Sequence, residues 1–321
     1  MYKRQEINIL FSSVGRRVEL VNAFREASRN LNIKSNLIGI DIDELAPALK
    51  FVDKAYKVPP IFSEDFIPRV IEICRIERVS LIIPTLDTEL LKYSKNKELI
   101  KRVCGAKVMV SEEETISIIR DKIKTHNFLK EKEFDVPKLI TDKDIDNKDY
   151  RFPLFIKPLD GSSSINNFKI NSEKELDFFK TYVKNPIIQE FINGDEYCVD
   201  VFSDFDGNVI TIVPKLRIAH RGGEITKAKV IKDSEIMMVG KRLVKTLKLV
   251  GESNFDCIRS GNTIKIIEIN GRFAGGSPIS FKAGANSPEN LYKIFLGEKL
   301  RYNEKFKDGV IALRFDSAVF I

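Results

Sequence analysis

The chain has 321 residues, of which 43% are hydrophobic and 31% charged, and its formal net charge at pH 7 is +7. These shares are typical of a soluble globular protein of two or three domains, and no apolar run reaches the roughly 20 residues that a membrane-spanning helix needs. The positive charge alone does not indicate nucleic-acid binding, because the sequence contains no dense Lys/Arg block interleaved with aromatic residues. We therefore expect small-molecule partners, and neither a membrane nor a nucleic acid.

The N-terminus and the cysteines indicate the compartment. Residues 1–6 lead directly into a strand pattern, without the apolar stretch and cleavage site of a secretory signal, so we expect a cytoplasmic protein. The cysteines at positions 74, 104, 198 and 257 are widely spaced and lie in apolar patterns. We expect reduced core residues rather than a disulfide framework or a zinc site.

The start of the chain predicts a strand, a helix and a second strand. Residues 7–11 are a continuous apolar run, residues 18–30 have helical periodicity, and residues 36–40 form another apolar run that leads into Asp41. This order is that of a βαβ unit of Rossmann type. The dinucleotide fingerprint is incomplete, because Gly15 alone stands where three glycines are expected.

The turn after the first strand contains Arg16 and Arg17 at the N-terminus of the helix. Backbone N–H and guanidinium groups at this place can hold an anion, and the alternative is a plain tight turn. The alternation of strands and helices continues to residue 110, and Thr85 and Asp87 follow the tip of strand 79–84. Because open parallel sheets bind ligands beyond the carboxyl ends of their strands, these residues lie where a substrate would bind, or Asp87 is only a helix N-cap.

The middle of the chain predicts a change of lobe and a phosphate-binding loop. One helical stretch runs from residue 111 to about residue 132, and the charged segment 142–151 is expected to be an irregular connection. Lys157 then ends an apolar strand, where a lone ammonium group is costly unless an anion pairs with it. The Gly-Ser-Ser-Ser loop at 161–164 offers N–H and hydroxyl donors to phosphates, but it is not a P-loop because the lysine precedes the glycine.

The next strands carry hydrogen-bonding groups and cations. Strand 186–192 turns back through residues 193–196, and beside a deep cleft such a turn can present main-chain N–H and C=O groups to an adenine edge; the alternative is an ordinary hairpin. Lys215 and Arg217 alternate onto one face of a later strand, and Arg221 lies on a glycine-rich loop. Three converging cations fit an anionic substrate or a transferring phosphoryl group.

A hairpin around residue 261 brings two carboxylates together. Residues 253–259 and 263–272 flank a Ser-Gly-Asn turn, which is a hairpin signal. In that hairpin Asp256 stands across from Glu268. Two carboxylates at strand spacing repel each other unless a cation lies between them, so the pair predicts a metal site.

The second strand of the hairpin carries further ligand types on one face. Glu268, Asn270 and Arg272 follow at a spacing of two, so their side chains point the same way. Carboxylate and amide oxygens suit magnesium, and a guanidinium holds phosphoryl oxygens bidentately. A Gly-Gly-Ser sequence follows, where the backbone can approach a ligand closely. The alternative interpretation is a surface hairpin with solvated charges.

In chain order these features resemble the ATP-grasp superfamily, and in particular stand-alone proteins similar to the large subunit of carbamoyl-phosphate synthase. The likeness is carried by SSVGRRVEL at residues 12–20, PTLDTEL at 84–90 and EINGRF at 268–273. The resemblance implies an α/β and α+β architecture. Its parts would be a Rossmann-like pre-ATP-grasp domain at 1–112, a two-lobed ATP-grasp fold at 113–300 with a lid lobe at about 150–192, and a C-terminal strand or extension at 301–321.

The resemblance also implies roles for individual residues. ATP would be held by Lys122, Lys157, the flap residues Gly161, Ser162, Ser163 and Ser164, the adenine hinge Gln189, Glu190, Phe191 and Ile192, and Glu196 on the ribose. Asp256, Glu268 and Asn270 match the magnesium-binding positions, and Lys157, Arg217 and Arg272 would stabilise the transferred phosphoryl group. We expect the substrate to contact Arg16, Lys215, Arg217, Arg221, Gly275, Gly276 and Ser277.

The activity implied is that of an ATP-dependent ligase, which uses Mg²⁺ (or Mn²⁺) and ATP to activate a carboxylate as an acyl phosphate for attack by an amine or another nucleophile. Carbamoyl phosphate synthesis itself does not fit, because the chain has one ATP-grasp half where true synthases have two. Two rival hypotheses are a noncatalytic nucleotide-binding sensor and a nicotinamide-dependent oxidoreductase. The glycines missing from the dinucleotide fingerprint argue against the oxidoreductase. If the chain associates with itself, we expect a homodimer.

Overall fold

The computed structural model describes residues 6–160 and 165–321. The predicted flap, Gly161 to Ser164, lies outside the described residues. The described strands form three sheets. Within the described part of the chain, no helix combines the length and the apolar character that crossing a bilayer requires.

The N-terminal part is a parallel sheet with helices packed on it. Its strands are β1 (Asn8–Ser12), β2 (Leu37–Asp41), β3 (Lys54–Lys57), β4 (Val79–Pro84) and β5 (Lys107–Val108). Its helices are α1 (Val18–Asn30), α2 (Phe66–Ile76) and α3 (Asp87–Cys104), with a 3₁₀ turn at Pro47–Lys50. The strand order β3-β2-β1-β4-β5, with parallel pairing throughout, confirms the predicted Rossmann-type unit.

Helix α1 follows directly from its sequence. Leu20, Val21 and Phe24 recur at helical spacing and are buried. Phe24 packs edge-to-face against Phe11 of β1, with 5.1 Å between the ring centroids. The turn before the helix has Gly15 at φ +46°, a left-handed conformation that favours glycine. This turn places Arg16 and Arg17 at the start of the helix.

Two helices connect the parallel sheet to the rest of the chain. They are α4 (Glu113–Ile119) and α5 (Lys122–Glu131). The prediction of one continuous helix is wrong, because the side chain of Asp121 accepts hydrogen bonds from two N–H groups of the next turn, both at 3.0 Å, and begins a second helix. Lys122 therefore lies in the first turn of α5.

A small antiparallel sheet forms a lid. Its elements are α6 (Asp142–Asp146), β6 (Leu154–Pro158), β7 (Phe168–Ile170), α7 (Glu173–Tyr182) and β8 (Pro186–Glu190), and the strand order is β7-β6-β8. Leu154, Ile156 and Ile170 are buried in its own small core. Segment 142–151 is not wholly irregular as predicted, because the Thr141 side chain caps α6.

A larger antiparallel sheet completes the fold. Its elements are β9 (Asp195–Ser203), β10 (Val209–Arg221), β11 (Glu224–Val230), α8 (Ser234–Leu247), β12 (Gly251–Ser260), β13 (Thr263–Asn270), α9 (Ser277–Ala283), α10 (Ser287–Phe295) and β14 (Ile311–Leu313). The strand order is β13-β12-β9-β10-β11-β14. A parallel sheet followed by two antiparallel lobes confirms the predicted fold class, whereas the domain boundaries stay a prediction.

Candidate active site

A cleft of about 470 Å³ opens between the lid sheet, the β12–β13 hairpin and the end of strand β4. Of the residues that the sequence predicts for the site, it is lined by Lys122, Lys157, Gln189, Arg217, Asp256, Glu268, Asn270, Arg272, Gly275 and Gly276. Described residues that are predicted for the site but do not line this cleft are Arg16, Glu190, Phe191, Ile192, Glu196, Lys215, Arg221 and Ser277. The structure thus brings the predicted metal residues together with the lysines Lys122 and Lys157, and it leaves most of the predicted substrate residues outside the cleft.

Two carboxylates meet at the centre of the cleft. The register of the hairpin pairs Asp256 with Glu268, as the sequence predicts. Burial raises the pKa of Glu268, and the nearby charge of Asp256 raises it further. Asp256 Oδ2 accepts a hydrogen bond from Arg217 Nη2 at 3.1 Å, whereas the buried Oδ1 has no partner among the described residues. The pair therefore offers oxygen atoms to a cation.

Two lysines from different elements lie close to the acid pair. Lys157 of β6 is only 7% exposed, and burial lowers its pKa to about 8 even though Glu268 opposes the shift. Lys122 of α5 donates to the carbonyl oxygens of Pro158 at 2.9 Å and Leu159 at 2.8 Å, so it also fastens the end of the lid strand. Two ammonium groups beside two carboxylates suit a phosphate chain with a bound metal ion.

Arg272 is held by an acid from the N-terminal sheet. Its Nε and Nη2 donate to Oδ2 of Asp87 at 3.0 and 2.6 Å, and Nη2 also donates to Asn270 Oδ1 at 3.4 Å. Asp87 lines the cleft as the first residue of α3, and Leu86 occupies the N-cap position. Asp87 therefore lies at the rim of the cleft and the N-cap interpretation is wrong, whereas its contact with a substrate stays a prediction.

Arg217 of β10 joins two carboxylates. Its Nη1 donates to Glu196 Oε1 at 2.6 Å and its Nη2 to Asp256 Oδ2 at 3.1 Å. Burial by itself lowers the pKa of Arg217, but Asp256 and Glu196 outweigh burial and raise the pKa above its ordinary value. Glu196 is engaged by Arg217 here, so its contact with a ribose stays a prediction.

Lys215 is not available to a substrate, contrary to the prediction. Its side chain is fully buried and forms an ion pair with Asp200, and its Nζ donates to the carbonyl oxygen of Gly276 at 3.2 Å. Ser280 Oγ also donates to Asp200, at 2.6 Å. Lys215 thus stabilises the glycine loop of the cleft through its hydrogen bond to Gly276. The predicted convergence of three cations on a substrate is therefore wrong.

Arg16 and Arg221, which are also predicted to contact the substrate, lie at the surface. Their side chains are 85% and 70% exposed and approach Asp316 at 4.0 and 2.7 Å. Register irregularities in β10 after Arg217 end the simple alternation on which the Arg221 prediction depends. Next to Arg16 in the sequence, Arg17 lines the cleft instead.

The predicted adenine hinge is only partly supported. Gln189 lines the cleft. The N–H groups of Glu190 and Phe191 donate to the backbone carbonyl oxygens of Lys138 at 2.9 Å and Pro153 at 3.2 Å. These two N–H groups are therefore not free to bind an adenine edge, and the prediction is wrong for them as donors.

Two protein-family models match successive parts of the chain. Residues 119–276 match the model described as an ATP-grasp domain, and residues 9–109 match the model described as the PylC-like N-terminal domain. The chain contains an ATP-grasp domain. The ATP-grasp match extends from the end of α4 through the lid and the hairpin, and the PylC-like match covers the parallel sheet.

Two curated proteins are similar to the chain over a part of their length. The chain is 28% identical over 131 residues to D-alanine–D-alanine ligase of Fusobacterium nucleatum subsp. nucleatum, a match that covers 37% of this chain and 46% of the ligase. It is 28% identical over 222 residues to the carbamoyl phosphate synthase large chain of Thermoanaerobacter sp., covering 61% of this chain and 20% of the synthase. The matches thus span less than half of these relatives.

Solved structures share the fold over nearly the whole chain. The biotin carboxylase domain dimer of Hydrogenobacter thermophilus 2-oxoglutarate carboxylase, in complex with MgADP, ADP and bicarbonate, has a TM-score of 0.74 at 16% identity, covering 96% of this chain and 74% of that one. N5-carboxyaminoimidazole synthetase from Staphylococcus aureus with ADP has a TM-score of 0.73 at 14% identity, covering 94% and 80%. L-amino acid ligase from Bacillus licheniformis has a TM-score of 0.68 at 18% identity, covering 91% and 74%. These likenesses show the ATP-grasp fold.

The cleft of the ATP-grasp domain also contains residues to which the sequence analysis gives no site role, namely Arg120, His126, Glu224 and Asn254. Burial lowers the pKa of His126, and the positive charges of Lys130 and Lys157 act in the same direction, so the cleft favours the neutral imidazole. His126 lies four residues after Lys122 on the same face of α5. That spacing is the signal that would have identified it once Lys122 was assigned to the site.

A buried carboxylate links the first two sequence motifs of the ATP-grasp likeness. Glu89 is fully buried, and its Oε2 accepts from the hydroxyls of Ser12 at 2.6 Å and Ser13 at 2.8 Å. Its Oε1 accepts from the N–H groups of Thr85 at 2.6 Å and Leu86 at 3.0 Å. Burial raises the pKa of Glu89 although all four donors oppose the shift. Glu89 thus fixes the two loops from which the N-terminal domain reaches the cleft.

We expect the substitution Glu89→Gln to lower the free energy of unfolding by about 1–3 kcal/mol, because the amide replaces one acceptor oxygen of a buried network. Chemical denaturation monitored by circular dichroism measures this change. Glu98→Gln is the matched control, since Glu98 is exposed on the same helix, and it is expected to change stability by less than about 0.5 kcal/mol. Equal effects of the two substitutions would contradict the assignment.

Proposed function

We propose that the protein is an ATP-dependent carboxylate–amine ligase, which phosphorylates a carboxylic acid with ATP and transfers the acyl group of the resulting acyl phosphate to an amine or another nucleophile. The observation that carries this proposal is the half-buried pair Asp256 and Glu268 beside Lys157 and Lys122 in one cleft. The ATP-grasp match and the relatives named as ligase and synthase support the reaction class.

A divalent cation fits the acid pair. Asp256 Oδ1 is buried without a partner among the described residues, and Asn270 lines the same cleft. Within the described ranges no group of three or more His, Cys, Asp or Glu side chains forms a complete metal cage. Mg²⁺ with a nucleotide needs none, because it takes one or two carboxylates and completes its shell with phosphate oxygens and water, and Mn²⁺ suits the same ligands. When bound, the metal ion would neutralise phosphate charge.

The side chains of the cleft would act by charge and position. In the transfer, a carboxylate oxygen of the substrate bonds to the γ-phosphorus while the bond from that phosphorus to the β–γ bridging oxygen breaks, and ADP keeps the electron pair. Lys157 and Lys122 would hold the phosphate oxygens before and during this step. Arg272, oriented by Asp87, would stabilise the charge on the transferred group, with Arg217 supporting the cleft through Asp256.

Measurement of ADP release tests the proposal. Purified protein is supplied with Mg²⁺, ATP and pools of amino acids, sugar acids and small dicarboxylates, each with and without a pool of amines, and bicarbonate is a separate arm. We expect ADP only where the correct acid and nucleophile are present. An unchanged background rate with every pool would favour a noncatalytic nucleotide sensor, and release with bicarbonate alone would favour a reaction closer to that of carbamoyl-phosphate synthase.

ATP binding is expected to weaken as the pH rises through about 8. The pKa of Lys157 in the free protein is lowered to about 8, and phosphate binding needs the ammonium form. Above that pH, binding must first take up a proton, so the affinity should fall by up to about tenfold per pH unit. Isothermal titration calorimetry from pH 6.5 to 9.5 measures the profile.

The substitution Lys157→Arg provides the control for this pH profile. A guanidinium stays charged throughout the range, so the decline above pH 8 should disappear in the variant. Identical pH profiles for the two proteins would show that another group controls ATP binding.

A further inference from the structure

Arg17 is a cation of the cleft that forms no ion pair with a carboxylate among the described residues. It lies at the N-terminus of α1, in the loop that Glu89 holds through Ser12 and Ser13. Within residues 6–160 and 165–321 its side chain donates one hydrogen bond, from Nη2 to the carbonyl oxygen of Thr85, at a long 3.5 Å. Arg217 and Arg272, in contrast, are each engaged by carboxylates. Arg17 is therefore the arginine of this group that is free to bind an anion.

The surroundings of Arg17 make an anion favourable. Burial lowers the pKa of Arg17 to about 10, and the positive charge of Arg272 lowers it further, while Glu224 and Asp87 oppose the shift. The guanidinium still carries its charge at pH 7. A largely buried charge with no direct counter-ion is costly, and a bound anion would remove that cost.

A glycine keeps the space between Arg17 and Glu224 open. A Cβ atom at Gly275 would lie 3.1 Å from Arg17 Nη1 and 3.0 Å from Glu224 Oε1. Both charged groups therefore flank one point above the glycine loop. Glu224 also accepts a hydrogen bond from Arg314 Nη1 at 3.3 Å, which directs its carboxylate. One positive and one negative group thus stand together at this end of the cleft, close to Arg272.

We propose that Arg17 and Glu224 form the subsite for the acid substrate, and that this substrate is an amino acid. Arg17 binds the carboxylate that is to be phosphorylated and places it beside Arg272, and Glu224 binds the protonated amine of the same molecule. Glu224 Oε2 is held by Arg314, and Oε1 is the oxygen that faces the glycine loop. An acid without an amine would lack the contact with Oε1, so the subsite favours an amino acid. This inference rests on the proposed ligase function, and it assigns to Arg17 the role that the sequence suggested for Arg16.

Two neighbouring arginines provide the test. Arg17→Met is expected to raise the KM for the amino acid by about tenfold to a hundredfold, with Arg17→Lys recovering part of the loss, because a charge-assisted contact is removed or only weakened. Arg16→Met should leave KM unchanged, since Arg16 is exposed to solvent. The affinity for ATP, measured by calorimetry, should stay within about twofold in all three variants, which shows that they remain folded.

Glu224→Gln tests the recognition of the amine. The wild-type protein should prefer an amino acid over its deaminated analogue, for example alanine over propionate, and the substitution should reduce that preference by about tenfold or more. An unchanged KM in Arg17→Met, or an unchanged preference in Glu224→Gln, would overturn the inference. If carboxylic acids without an amino group supported ADP release and amino acids did not, the amino acid subsite would be overturned, while the proposed ligase function would still hold. Amino acid binding in the presence of a non-hydrolysable ATP analogue, lost in Arg17→Met, would support the subsite even if no turnover were found.

Discussion

Replacement of Glu268 by glutamine is expected to lower kcat for ADP formation by about a hundredfold to a thousandfold. The substitution removes the carboxylate that we propose as a ligand of Mg²⁺, and the metal ion would neutralise the phosphate charge. The side chain keeps its shape, so the fold should be unchanged. Steady-state kinetics at saturating ATP measure the effect. Asp206→Asn, in the exposed turn between β9 and β10, is a matched control that should retain full activity.

The dependence of the same variant on Mg²⁺ and pH separates metal binding from other roles of Glu268. The pKa of Glu268 is raised, mainly by burial, and a metal ion binds only the deprotonated form. The apparent affinity for Mg²⁺ in the wild-type protein should therefore fall as the pH decreases through that raised pKa. In Glu268→Gln this dependence should be flatter. If the variant had the same kcat and the same Mg²⁺ titration as the wild type, Glu268 would not be a metal ligand.

Replacement of Lys215 by methionine is expected to lower the free energy of unfolding by about 3–5 kcal/mol, because it leaves the carboxylate of Asp200 buried without its counter-ion. A second buried carboxylate, Glu252, adds to this cost. Its pKa is raised well above the ordinary value, first by burial and then by Asp200, while Lys215 opposes the shift. Urea denaturation measures the loss, and Lys227→Met on the neighbouring strand β11, where the lysine is exposed, should cost less than about 0.5 kcal/mol.

A double variant separates the lost ion pair from lost packing. Lys215→Met combined with Asp200→Asn removes both charges of the pair, so we expect it to be more stable than Lys215→Met alone. A destabilisation of Lys215→Met no larger than that of Lys227→Met would show that Lys215 is not a structural cation. That result would restore the prediction that it contacts a substrate.

Local sequence patterns were sufficient to predict the sheets and the centre of the cleft. A hairpin with a short glycine turn, in which Gly261 has φ +58°, sets the register from the pair Ser260 and Thr263 to the pair Cys257 and Ile266. A register irregularity between Asp256 and Cys257 then shifts the pairing by one residue and makes Asp256 the partner of Glu268, which a count of residues alone would not give. The apolar run that ends at Lys157 likewise predicts a buried ammonium group, which the structure confirms. The turn and the buried lysine both depend on neighbours in the sequence.

Residues whose environment depends on distant segments could not be predicted. Alternation places Lys215 and Arg217 on one face of β10, but it does not show that Asp200 lies beside the first and Asp256 beside the second. Arg16 and Arg17 are adjacent, and the direction of each depends on a loop that Glu89 holds from 76 residues away. The partner of Arg272 is 185 residues distant. Such contacts are set by tertiary packing.

The fate of carboxylate oxygen is the most direct test of the central claim, which is that Mg·ATP bound at the acid pair phosphorylates an organic acid. The acid that supports ADP release is supplied with both carboxylate oxygens as ¹⁸O, and the inorganic phosphate formed is analysed by mass spectrometry. We expect one ¹⁸O atom in each phosphate, because an acyl phosphate retains a substrate oxygen when the nucleophile displaces it. Phosphate with oxygen from water alone, or AMP and pyrophosphate in place of ADP and phosphate, would contradict the account.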